Sequence, residues 1–211
     1  EVFLSHADLD QFNGLPALLD RFAIGQVTMT PSFADKTTPG VSETLAVLQE
    51  RGVPIRILKA GDRVTAGDVQ IDVLHPPASG PDGNENARSL VLDLHHAGHR
   101  ILLTGDLEGP GLERVLALPA QPVDVLMAPH HGSKLSNKSD LAQWARPRVV
   151  VSCQGPPRGI PVLDAVYTPT GAQVLTTWPH GAVTVRSHGT GMVIETFTTG
   201  QRIVLRTNRE K

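Results

Sequence analysis

Glu1-Val2-Phe3-Leu4-Ser5-His6-Ala7-Asp8-Leu9-Asp10-Gln11 begins with a short apolar run that reads as a strand, then breaks at once into a polar loop. Successive side chains on extended backbone point to opposite faces, so every second residue points the same way. His6, Asp8 and Asp10 occupy such alternate positions, and at the end of a strand all three can converge on one point. One imidazole with two carboxylates is a ligand set suited to a hard-to-borderline divalent metal. A plainer reading has Asp8 and Asp10 capping a helix that begins near Leu15, with His6 on the surface. The loop alone does not choose between them.

Two further loops have the same character. Thr104-Gly105-Asp106 directly follows the apolar run Arg100 to Leu103, which puts a carboxylate at a strand's C-terminal end, where sites of open α/β sheets form. By itself it is also an ordinary Gly-Asp turn. His130-His131-Gly132-Ser133 follows the apolar run Val123 to Met127. Adjacent histidines diverge, so one is expected to face a metal while the other orients a ligand or protonates a leaving group. Gly132 permits close backbone approach, and Ser133 could hold an anion. Together the loops supply carboxylates and imidazoles, one carboxylate able to bridge, which is what a two-metal hydrolase requires to activate water.

The rest of the chain reads as a frame for these loops. Helices are predicted over Leu15 to Phe22 (Leu15, Leu18, Leu19 and Phe22 on one face), Ser42 to Arg51, Gly111 to Leu118 and Ser139 to Trp144. Thr30 to Gly40 reads as a loop. Strands are predicted at Gln26 to Met29, Ile55 to Leu58, Gln70 to Leu74, Leu90 to Leu94, Arg100 to Leu103, Val123 to Met127, Arg148 to Ser152 and in four runs after Gln173. No repeat or clean boundary interrupts this order, so a single layered α/β domain over 1–211 is expected. The composition agrees: 211 residues, 40% hydrophobic and only 4% aromatic, give a core of Val, Leu, Ile and Ala. Gly (20) and Pro (17) lie above average usage, favouring many short elements. The net charge of -2 argues against a dedicated basic nucleic-acid module, so any such contact must come from local cations. The single cysteine, Cys153, excludes an internal disulfide framework and a Cys-rich zinc site. No apolar run approaches the roughly 18 residues of a membrane span, so this stretch is expected to be soluble. Of the nine histidines, His75, His95, His96 and His99 are expected in loops and exposed hairpins, and Trp144 and Trp178 in packing.

These residues resemble the metallo-β-lactamase superfamily, and more narrowly the C-terminal metallo-β-lactamase-type domain of the ComEC family, competence proteins that internalise DNA. Ser5 to Leu15 is similar to that family's S-H-x-D-x-D-H-x-x-G-L motif. Asn86 to Leu92 is similar to its N-x-x-S-L-V-L strand, Leu102 to Glu108 to its L-L-T-G-D-x-E, and Ala128 to Lys134 to its HHGS loop. The resemblance implies an αββα sandwich with metals at the edge between two sheets. It implies His6, Asp8 and Asp10 as ligands, Asp106 as the bridging carboxylate, His130 as a ligand or near-metal acid, and His131 beside it. Asp10, His130 and His131 are the expected catalytic groups, and zinc or manganese, one or two ions, the expected cofactor. Hydrolysis of a phosphodiester is implied, with DNA, a single strand not taken up, as substrate. Ser133, Lys134 and Arg158 are candidate substrate contacts. The implied partner is the membrane-channel part of a parent protein in a bacterial cytoplasmic membrane.

Three departures qualify this. Gln11 stands where the motif ends in His, and a neutral amide is a poor ligand for zinc or manganese beside an imidazole. Ile160 stands where a late histidine is expected and cannot ligate. Both fall on one metal's ligand set, while His6, Asp8 and Asp106 survive. The strands that precede the first motif in the superfamily are expected to be missing here. Two further readings stay open: a catalytically weakened domain with a binding or structural role in a competence protein, and a hydrolase of another ester such as a lactone, since fold and metal set do not choose substrate.

Overall fold

A computed structural model describes residues 1–156, 162–189 and 191–207. Arg158 and Ile160 lie outside the described residues. Three sheets form the frame. The first is parallel, in the order β1 (Val2–Phe3), β2 (Val27–Met29), β3 (Ile55–Ile57). The second has seven strands: β4 (Arg63–Ala66), β5 (Val69–His75), β6 (Val91–His96), β7 (His99–Leu103), β8 (Val125–Met127), β9 (Val149–Ser152) and β10 (Gln173–Thr176), adjacent in that order. Its first four strands run antiparallel, while β7 to β10 are mutually parallel. The third is an antiparallel meander, β11 (Val183–His188), β12 (Gly191–Thr196) and β13 (Arg202–Arg206).

Parallel strands cannot be joined by tight turns, so helices cross between them. α5 (Gly109–Leu116), α6 (Ser139–Ala145) and α7 (Val162–Tyr167) connect β7 through β10, while α1 (Leu9–Phe12), α2 (Leu15–Leu19), α3 (Pro31–Ala34) and α4 (Pro39–Glu50) accompany the first sheet. Strand alternation sorts the layers. Leu102, Leu126 and Val150 pack with Leu112, Val115, Leu141 and Leu163 from α5 to α7. Their neighbours Val125, Val149 and Val151 point the other way, onto Met192, Ile194, Ile203 and Leu205 of the third sheet. Phe3 joins the first sheet to Ile71, Val73, Leu90 and Leu92, and the outer side of that sheet packs on α1 to α4 through Phe12, Leu15, Phe33, Val41 and Leu48. The order is helix, sheet, sheet, helix: an αββα sandwich. Because β8 and β9 are covered on both faces, they read as unbroken apolar runs, Val125-Leu126-Met127 and Val149-Val150-Val151. Among the described residues no helix is long and apolar enough to cross a membrane.

The details differ from expectation where local caps decide. The stretch 30–40 is loop only between Asp35 and Thr38. Thr30 caps α3, its hydroxyl accepting from the Phe33 N–H, with Pro31 in the first turn, and Thr38-Pro39 starts α4 ahead of Ser42. The helix from Leu15 ends at Leu19, leaving Leu18 and Phe22 exposed. β4 carries no apolar pattern because it is an exposed edge strand. His75 and His99 are buried, and Trp178 is exposed. Cys153 is exposed just past β9.

Candidate metal centre

The three polar loops meet at one edge of the sandwich, beyond the C-terminal ends of β1, β7 and β8. Asp10, Asp106 and His131 each offer a ligand atom, all within 4.8 Å of one another. His6 Nε2 lies 3.7 Å from Asp8 Oδ2 and 4.0 Å from Asp106 Oδ2, and His131 Nε2 lies 3.5 Å from Asp106 Oδ2. Asp106 thus stands between two imidazoles from different loops. Convergence does not follow from strand alternation, because β1 ends at Phe3. His6 and Asp8 lie in the loop beyond it, and Asp10 is carried by the single turn of α1.

His6 is the buried member, 1% exposed. Burial pushes its imidazole below the ordinary value, against the pull of Asp106, Asp8, Asp10 and Glu85. A neutral imidazole is the form that ligates. Its Nδ1 is held by Ser5 Oγ at 3.0 Å and Ser89 Oγ at 3.3 Å, while Nε2 is buried with no hydrogen-bond partner. A buried polar atom without a partner is costly. Here it faces carboxylates that repel one another, and a divalent cation would satisfy both. The donor set therefore fits a metal.

Ser89 sits at the hub of the supporting shell. Its hydroxyl also accepts from the Asp106 N–H at 3.1 Å, and its carbonyl is bonded by His75 Nδ1 at 2.8 Å. Lys36 donates to the Ala7 carbonyl at 3.1 Å, tying down the His6–Asp8 loop, and pairs with Glu85 at 3.2 Å. Gln11 does not act as a ligand stand-in: its amide donates to Asp10 Oδ2 at 3.2 Å.

The two histidines separate. His130 and His131 both adopt left-handed backbone (φ 49° and 51°), a conformation non-glycine residues seldom take. The structure places His131, rather than His130, with Asp10 and Asp106. His131 Nδ1 is held by the Cys153 carbonyl at 3.0 Å, leaving Nε2 toward the carboxylates. His130 Nδ1 bonds Glu108 Oε2 at 2.9 Å. Burial alone would push the Glu108 carboxyl up, but hydrogen bonds from Asn84, His130 and Asn86 together outweigh it and hold the group below the usual range. Gly132 (φ 82°) closes the loop where a side chain would meet Gln154 at 2.7 Å and Ser152 and Leu163 at 3.0 Å. Ser133 holds the turn, its hydroxyl accepting from the Leu135 N–H, and Lys134 is exposed. Glu108, Ser89, Lys36 and the role of Gln11 were missed by sequence reasoning. Glu108 and Ser89 do stand inside the motif stretches at 102–108 and 86–92.

Residues 5–154 match a family model described as a beta-lactamase superfamily domain. ComE operon protein 3 of Bacillus subtilis (strain 168) is 33% identical over 155 residues, 73% of this chain and 20% of that protein. Recombination protein 2 of Haemophilus influenzae is 35% identical over 71 residues, 34% of this chain and 9% of that protein. The chain thus spans a fifth or less of these relatives. Among solved structures, the metallo-beta-lactamase fold protein YhfI of Bacillus subtilis superposes with a TM-score of 0.53 at 15% identity, covering 83% of this chain and 73% of that one. A protein of Parabacteroides distasonis described as a metal-dependent hydrolase gives 0.52 at 16%, covering 82% and 74%. At such identities the structural matches speak for the fold alone.

Proposed function

The chain belongs to the beta-lactamase superfamily, and from that premise we propose that it is a divalent-metal-dependent hydrolase acting on a phosphodiester, with a DNA strand as substrate and zinc or manganese as cofactor. The observation that carries the reading is the convergence of Asp10, Asp106 and His131 beside the unpartnered buried Nε2 of His6. When bound, the metal supplies Lewis acidity and a water of lowered pKa. His6, Asp8, Asp10, Asp106 and His131 would hold it. Asp106 would be the carboxylate shared by the two sides of the site, since both imidazoles approach the same carboxylate oxygen. The Glu108 carboxylate fixes the proton of His130 on Nδ1 and leaves Nε2 as the nitrogen that gives or takes a proton, the role of a general acid to the leaving oxygen. The DNA reading is supported by the resemblance to competence proteins and by the kinship with ComE operon protein 3. It carries with it a membrane-bound parent and its channel as the partner.

A second reading, a domain that binds metal with little turnover, is favoured by Gln11, whose amide is spent on Asp10. One experiment separates the readings. Manganese or zinc is titrated calorimetrically, then single-stranded DNA, bis(p-nitrophenyl) phosphate and a lactone are offered to the loaded protein. Metal uptake with phosphodiester cleavage is expected. Uptake without cleavage selects the binding domain, cleavage of the lactone alone selects the other ester, and no uptake overturns the enzyme reading.

Within the hydrolase reading, Glu108→Gln is expected to lower kcat about 10- to 100-fold, the usual loss when the partner orienting an imidazole is removed. KM should change little, because Glu108 acts through His130. A raised KM at unchanged kcat would instead make Glu108 a substrate contact.

A further inference from the structure

At the opposite end of β7, β8 and β9 lies a cleft of about 310 Å³ lined by Arg100, Arg146, Arg148 and Arg206, with Asp124 as its carboxylate. It is roughly 17 Å from the metal centre, taking some five residues of strand at about 3.3 Å each. Asp124 is already engaged. It accepts from the Arg100 N–H at 3.0 Å and from Arg148 at 2.9 Å, and bonds His99 Nδ1 at 3.1 Å. Arg100 is also committed, to Asp93 and Gln121. Among the described residues, the other three retain capacity. Arg148 uses only Nη1, on Asp124 and on the Arg206 carbonyl at 3.1 Å. Among the described residues Arg146 uses only Nε, on the Gln143 carbonyl at 3.3 Å, and Arg206 has no carboxylate partner. Arg146 ends α6 in left-handed backbone (φ 37°), a position that favours glycine or asparagine. An arginine is therefore held there against local preference, in a cleft already rich in like charge.

We propose that this cleft is a phosphate-binding site, separate from the metal centre, that takes the backbone phosphates of a nucleic-acid strand or a free phosphate through Arg146, Arg148 and Arg206. Guanidinium groups match phosphate in paired N–H···O contacts and stay charged at any physiological pH. Nothing in the site depends on the metal centre's chemistry, so it stands even if that centre hydrolyses nothing. With the metal chelated, the loops around Asp8, Asp10 and Asp106 repel phosphate, so binding there does not mask the cleft.

The test uses the 211-residue chain in EDTA, a fluorescein-labelled single-stranded 12-mer followed by anisotropy, and inorganic phosphate followed by calorimetry. The variant is Arg146→Asn/Arg206→Gln, since asparagine tolerates left-handed backbone; circular dichroism checks that it folds. Oligonucleotide binding should weaken at least about 10-fold, with the salt slope falling by about 1.4, two phosphate contacts at ~0.7 each. Arginine-dependent binding of inorganic phosphate alone would support the site with a free phosphate as its ligand. Equal binding of both probes by the folded variant, or no binding of either by the wild type, overturns the proposal.

Discussion

Asp106→Asn is expected to abolish the thermal stabilisation that manganese or zinc confers, and with it hydrolysis. The substitution keeps the shape and removes the charge. The Asp106 backbone is fixed by the Ser89 hydroxyl on its N–H, so the side chain stays where it is. What is lost is a carboxylate 3.5 Å from His131 and 4.0 Å from His6. Hard and borderline cations prefer that group to a neutral amide. Removing a direct ligand should cost more than the roughly 100-fold ceiling for an outer partner. A cation at 100 times its dissociation constant stabilises the wild type by about 2.7 kcal/mol, a melting shift of some 5–10 °C for a domain of this size. The variant should show almost none of it. In EDTA the order should level or reverse, because the variant relieves repulsion among Asp8, Asp10 and Asp106. Both melts can be run by scanning calorimetry with and without metal. A full metal-induced shift in the variant would show that Asp106 is not a ligand.

Much of this site was legible because its residues occupy the ends of strongly patterned strands. The apolar run before His130 is buried on both faces and the run before Asp106 is at least partly buried throughout, so the strands were visible, and the loops after them had to lie at a common edge. The approach of His6, Asp106 and the His-His loop follows from that topology. What could not be read was anything decided by side-chain partnership. His130 and His131 look equivalent in sequence, and only their left-handed backbone turns His131 to Asp106 and His130 to Glu108. Gln11 reads as a missing ligand, yet its amide is within reach of Asp10. The buried state of His99 depends on Asp124, 25 residues away, which no periodicity of a hairpin reveals. The third helix and the first turn of the fourth escape the sequence for a simpler reason. Thr30-Pro31 and Thr38-Pro39 are start signals hidden in a stretch that otherwise looks like turn residues.

Gly111→Ala should destabilise the chain by about 3 kcal/mol or more, the upper end of what overpacking costs. Helix propensity argues the opposite. Gly111 lies inside α5, where alanine is better by about 1 kcal/mol. The packing decides the sign. A β-carbon at Gly111 would fall 2.1 Å from the Ala87 carbonyl oxygen and 2.9 Å from its carbon, both backbone atoms that no rotamer change can move. Either α5 lifts from the sheet, losing the burial of Leu112 and Val115, or the turn Asn86–Arg88 retreats. The second path reaches the metal centre. That turn delivers Asn86 to Glu108 and leads directly into Ser89, whose hydroxyl supports both His6 and the Asp106 N–H. The melting temperature should therefore drop by roughly 10 °C, and metal affinity should fall in the variant although no ligand was touched. Gly14→Ala is the control: nothing lies within 4 Å of its added carbon, and its effect should stay within about 0.5 kcal/mol. Calorimetric melting and metal titration of the two variants check both halves. An unchanged melting temperature for Gly111→Ala would mean that the helix and the turn are not in contact as described. A lowered melting temperature with wild-type metal affinity would mean that α5, not the turn, gives way.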